Sequence, residues 1–148
     1  MIDFKLNPKN FNYLGVEYDI IQITFLNYQK YSILIQMCID YFNEEIEWNE
    51  MFDINQAKNR LSDGMVLYVC LHNTEPLGYV WFKEMGNDEK KLFNLFFRNK
   101  NIIKTHTGKE FISSIINTYE NAKIIVCEVD DWNEKSIKLF KKLGFEQL

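Results

Sequence analysis

Apolar positions change their spacing along this chain, and the changes divide it into elements. Tyr18 to Phe25 alternates with a period of two and predicts a first strand. From Tyr28 to about Trp48 the recurrence stretches to helical spacing, at Ile33, Met37, Tyr41 and, less regularly, Ile46. A second short helix fits Asn55 to Leu61, with Asp63-Gly64 as its stop. The pattern then turns to strands: Met65 to Leu71, Leu77 to Met85 and Lys91 to Phe97. Their separators, His72 to Pro76 and Gly86-Asn87-Asp88, are so short that the three strands read as antiparallel neighbours. Helix, strand and helix follow at Gly108 to Asn121, Lys123 to Val129 and Asn133 to Leu143, with a short last strand at Phe145 to Leu148. Residues 1–15 show no period and read as irregular. The order β-α-α-β-β-β-α-β-α-β predicts an α+β fold, a mixed, mostly antiparallel sheet flanked by about four helices.

Composition narrows the class. A chain of 148 residues, 47% hydrophobic and 16% aromatic, is expected to form one domain with a real core. No apolar run reaches the roughly 18 residues of a membrane span, and the N-terminus lacks a signal-peptide pattern, so a cytoplasmic protein without a membrane partner is expected. Cys38, Cys70 and Cys127 are unclustered and lie in apolar segments, which reads as buried thiols of a reducing compartment. A formal net charge of -4 disfavours general nucleic-acid binding. His72 and His106 have no ligand-spaced partners, so no metal site is expected.

The charges are segregated. Asp40 to Asp53 carries Glu44, Glu45, Glu47 and Glu50 with no basic residue, while Lys90 to Lys109 carries Lys91, Arg98, Lys100 and Lys104 with no acid. Two solvated faces explain this as well as a cationic substrate beside the first and a polyphosphate beside the second. Thr107 with Glu110 has capping-box spacing and sets a helix start there. In that helix, Phe111, Ile112, Ile115, Ile116 and Tyr119 form one apolar face and are read as packing. Asn133 suits an N-cap, and Gly144 suits the C′ position with Phe145 folding back.

Asn133-x-x-Ser136-x-x-Leu139-Phe140-x-x-x-Gly144-Phe145, directly after a buried-type strand, resembles the C-terminal signature of the GNAT N-acetyltransferases. The element order over residues 66–148 is similar to that family as well. The resemblance implies acetyl-CoA as cosubstrate and a primary amine of a small molecule or peptide as acceptor, in a monomer or homodimer. It sets Gly108 on the last glycine of the family's phosphate loop, His106 on the first, and Ile103 on its Gln/Arg position, so one of three signature positions is retained. Lys104, Thr105, His106, Thr107, Gly108 and Lys109 would then surround the pyrophosphate at a helix N-terminus, where N–H groups and about half a unit of positive charge favour an anion. Leu95, Phe96 and Phe97 would hold pantetheine along the strand backbone. Glu128 to Asp130 would line the opposite wall, with Asn133 and Phe140 beside the cofactor.

The implied chemistry is direct acyl transfer, which needs a base, an oxyanion donor and a proton for the thiolate. The Phe97 backbone N–H is the family-based oxyanion donor, and Glu84, Glu128 and Asp130 are candidate bases. Phe140 stands where the family carries a tyrosine and has no proton to give, so Ser136, water or Tyr79 would have to serve. A catalytically impaired acyl-CoA-binding or protein-interaction module is the alternative reading.

Overall fold

The computed structural model describes residues 2–8, 19–45, 53–97, 107–119 and 122–148. Seven strands form one sheet: β1 (Ile2–Leu6), β2 (Asp19–Ile23), β3 (Val66–His72), β4 (Glu75–Gly86), β5 (Glu89–Phe97), β6 (Ile124–Val129) and β7 (Glu146–Gln147). Their spatial order is β2-β3-β4-β5-β6-β1-β7, and every pairing is antiparallel except β5 with β6. Four helices accompany it: α1 (Ser32–Glu45), α2 (Ile54–Ser62), α3 (Thr107–Thr118) and α4 (Glu134–Lys142). The expected mixed, mostly antiparallel sheet with about four helices is therefore present.

Period-two alternation sorts the strand residues onto two faces, each with its own core. Tyr68, Cys70, Val80, Phe82 and Leu92 join Phe111, Ile112, Ile115 and Ile116 of α3 and Phe140 of α4. Leu67, Val69, Tyr79, Trp81 and Phe96 face the other way, onto Ile35, Cys38 and Ile39 of α1 and Ala57 and Leu61 of α2. The apolar stripe read on α3 is the one it buries. Cys38, Cys70 and Cys127 are buried free thiols, as their apolar settings suggested.

Two readings need correction. The first residues are not irregular: Ile2, Phe4 and Leu6 alternate with Asp3 and Lys5, and Phe4 is wholly buried. This strand enters the sheet between β6 and β7, with Ile2 opposite Val129 and Lys5 opposite Glu146. The second concerns α1, which follows a 3₁₀ turn at Tyr28–Tyr31 and buries Ile35, Cys38 and Ile39, while Ile33 is 78% exposed. The run Ile33 to Phe42 is apolar nearly all round, so helical spacing alone could not select the buried face. The expected continuation to Trp48 lies outside the described residues.

The turns and caps follow from side-chain chemistry. Asn87 and Asp88 both take positive φ, 54° and 60°, as a two-residue hairpin turn requires. Asp53 and Gln56 form a reciprocal capping box at the start of α2, with Gln56 N–H donating to Asp53 Oδ1 at 2.9 Å and Asp53 N–H to Gln56 Oε1 at 3.3 Å. Asp53→Ala removes the first bond, and a loss of about 1 kcal/mol is expected in chemical denaturation. An unchanged denaturation midpoint would contradict that assignment.

Candidate active site

Two features of β5 open the sheet. Trp81 of β4 pairs with Phe93 and Tyr79 with Phe96, so one residue of β4 faces two of β5, Asn94 and Leu95. This is a β-bulge, and Asn94 takes φ 52° within it, a left-handed conformation that asparagine tolerates better than most residues. The extra residue resets the alternation. Leu92 and Phe93 point to opposite faces, and beyond the bulge Leu95 and Phe97 join the α3 face while Phe96 joins the α1 face. Meanwhile β5 and β6 stay paired only from Glu89 with Ile124 to Leu92 with Cys127. Past that point the two strands part.

A cavity of about 240 Å³ fills the gap. One wall is β5 from Lys91 to Leu95, and the other runs from Glu128 to Asp130 at the end of β6. Trp132, Asn133, Ser136 and Phe140 close it from the α4 side, and Phe42 reaches it from α1. Lys91 bridges the walls where they separate, its Nζ donating to Glu128 Oε1 at 2.6 Å.

The α4 signature has a physical explanation. Asn133 caps the helix by accepting from Ser136 N–H at 3.2 Å. At the other end, Gly144 takes φ 92°, its N–H donates to the Lys141 carbonyl, and Phe145 N–H donates to the Phe140 carbonyl. These two bonds form a Schellman stop, and the Phe140 and Phe145 rings supply its apolar contact edge-to-face at 5.1 Å. Phe140 is thus both a helix-stop residue and a floor of the cavity. Its ring is 2% exposed and also meets Phe4 of β1 at 6.1 Å.

Of the residues singled out in the sequence, Leu95, Glu128, Asp130, Asn133, Ser136 and Phe140 come together around this cavity. Phe96 lies in the core on the α1 side, its ring tilted against Tyr79 and edge-on to Phe42. Phe97 ends the strand with its ring against Phe111. Glu84 is elsewhere, beside the β4–β5 turn, where it pairs with Lys90. Tyr79 is buried in the core on the α1 side, where burial drives its phenol well above the ordinary range, and it is not among the residues lining the cavity. Lys109 is partly exposed in the first turn of α3, which starts at Thr107 and Gly108. Lys104, Thr105 and His106 lie outside the described residues.

Lys91 and Asn94 stand on the strand where the family resemblance implies a glutamate, and sequence reasoning assigned neither a role; it missed Trp132. An asparagine inside an apolar strand was a visible sign of the bulge. Trp132, 61% exposed at the cavity rim, carried no spacing signal. Among the described residues there is no group of three or more His, Cys, Asp or Glu able to hold a metal. None of the described helices is long and apolar enough to cross a membrane.

The sequence profile of the acetyltransferase (GNAT) family matches residues 31–145, more than three quarters of the chain. The chain belongs to the GNAT acetyltransferase family. Solved structures agree on the fold. An aminoglycoside acetyltransferase from an uncultured soil metagenomic sample, seen with trehalose and with sisomicin, superposes with a TM-score of 0.62 at 13% identity, covering 85% of this chain and 86% of that one. A ribosomal-protein-alanine N-acetyltransferase from Brucella melitensis gives 0.60 at 19% identity, over 86% and 84%. A tandem GNAT protein from the clavulanic acid biosynthesis pathway gives 0.62 at 12% identity, covering 98% of this chain and 49% of its own. No protein of curated function matches the chain in sequence. Membership carries acetyl-CoA-dependent acetyl transfer as the general activity class.

Proposed function

We propose that this GNAT protein moves an acetyl group from acetyl-CoA to a primary amine of a small molecule or peptide by direct transfer. The observation that carries the reading is the parting of β5 and β6 beyond Leu92 and Cys127, with a cavity between the freed strand ends. A pantetheine arm suits such a slot, because strand backbone beyond the paired region has N–H and C=O groups to offer it. The first turn of α3, at Thr107, Gly108 and Lys109, offers a pyrophosphate the N–H groups of a helix start.

The acceptor amine must lose a proton before it attacks, and Glu128 is the base assigned to it. The Phe97 backbone N–H is assigned to the developing oxyanion, and Ser136 to the departing thiolate. Glu128 and Asp130 on one wall, with Trp132 and Phe42 at the rim, favour an acceptor that arrives as an ammonium. Cys127 does not support a route through an acyl-cysteine. Its thiol is buried on the α3 side, and burial first, then Asp3 and Glu128, raise its pKa well above the ordinary value. A thiolate would be needed for that attack.

The test has two steps. Acetyl-CoA at about a hundred times its Kd is expected to stabilise the fold by roughly 2.7 kcal/mol, read as a raised melting temperature. Thiol release should then depend on an added amine. A second reading, an acyl-CoA-binding module without turnover, is favoured by Phe140 at the tyrosine position. Tight binding with no thiol release across a broad amine panel would establish it and end the enzyme reading.

A further inference from the structure

We propose that Lys91 is itself an acetyl acceptor, so that the protein acetylates its own active-site lysine. The inference rests on the reading of the cavity as the acetyl-CoA site. Lys91 lines that cavity at the point where β5 and β6 part, with a side chain only 21% exposed. It is a primary amine, the chemical class of the proposed acceptor. Its Nζ lies 2.6 Å from Glu128 Oε1, the carboxylate assigned to take a proton from an incoming amine. Amine and base are therefore already held together without a second substrate, an arrangement that otherwise costs association entropy.

The step balances. A proton passes from the Lys91 ammonium to the Glu128 carboxylate, and the freed Nζ lone pair attacks the thioester carbonyl carbon of acetyl-CoA. The C–S bond breaks, an N–C bond forms, and the amide nitrogen's remaining excess proton goes to the thiolate, releasing CoA as a thiol. Glu128 returns its proton to solvent. Acetylated Lys91 carries no charge, so its ion pair with Glu128 is lost and an acetyl group occupies the acceptor side of the cavity. Modification is thus self-limiting and slows turnover of external amines.

The test incubates the full chain with acetyl-CoA, without added amine, and follows site occupancy by peptide mass mapping. The same samples are scored for melting temperature. Lys91 is expected to gain one acetyl group at least about tenfold faster than the exposed Lys58, Lys83, Lys138 and Lys142, which serve as the solution baseline. With acetyl phosphate, a donor lacking the CoA handle, that preference should vanish. Glu128→Gln should slow Lys91 labelling by about 10²-fold, the lower end of a general-base contribution. Lys91→Arg preserves a cation for Glu128 but offers no amine, and should abolish the fast label, whereas Lys58→Arg, at an exposed site away from the cavity, should leave labelling at Lys91 unchanged. If acetyl-CoA raises the melting temperature but Lys91 reacts no faster than the exposed lysines, self-acetylation is wrong and the cofactor reading stands. If acetyl-CoA produces no shift, both fall.

Discussion

Replacing Gly78 with alanine is expected to lower stability by about 3 kcal/mol and the melting temperature by roughly 10 °C. Gly78 lies opposite Phe97 in the β4–β5 ladder. A methyl group there would sit 2.5 Å from the Phe96 carbonyl oxygen and 2.6 and 2.7 Å from two carbons of the Phe97 ring. The ring has somewhere to go only by giving up its edge-to-face contact with Phe111 of α3. The carbonyl cannot move without moving the strand. Because that strand end is the proposed pantetheine wall, the variant should also lose most of its acetyl-CoA melting shift.

Gly64→Ala is the control, since nothing lies within 4 Å of the added methyl and the cost there is backbone strain at φ 88°. About 1 kcal/mol is expected for it, with the acetyl-CoA shift intact. If Gly78→Ala melts no lower than Gly64→Ala, the close approach of the two strands is not as described.

How much of this was written in the sequence depends on whether the signal was local. Gly144-Phe145 and Asn133 announced a capped helix, and each bond they implied is present. The β3–β4–β5 meander followed from turn lengths alone, because so short a link leaves a strand nowhere to go but back along its neighbour. The position of β1 was not legible. Its alternation over Ile2 to Leu6 spans only five residues, and nothing local says that it pairs with β6 and β7, more than a hundred residues away. The bulge was half legible, since Asn94 marked an irregularity, whereas the parting of β5 from β6 is set by the pairing of strands distant in sequence, which no local signal carries. Lys91 illustrates the limit. In the sequence it was one lysine in a basic stretch, and only the parallel register of β5 with β6 brings it to Glu128.

Phe140→Tyr is expected to raise amine-dependent thiol release by about 10²-fold, the scale of one positioned general acid. The ring of Phe140 faces two ways: toward Phe4 and Phe145 in the core, and onto the cavity floor. The substitution adds a phenol oxygen to a ring that lines the cavity. Ser136 lies one helical turn earlier on the same face and also lines the cavity, so it is placed to do the same work less well. The double change Ser136→Ala with Phe140→Tyr separates their roles. If the tyrosine takes over proton delivery, the double variant releases thiol about as fast as Phe140→Tyr alone, while Ser136→Ala by itself falls below the natural chain. If Phe140→Tyr binds acetyl-CoA with an undiminished melting shift yet releases thiol no faster, leaving-group protonation does not limit this protein. The departing thiol, with an ordinary pKa near 8.5, would then leave unaided, and proton removal at Glu128 would be the step that sets the rate.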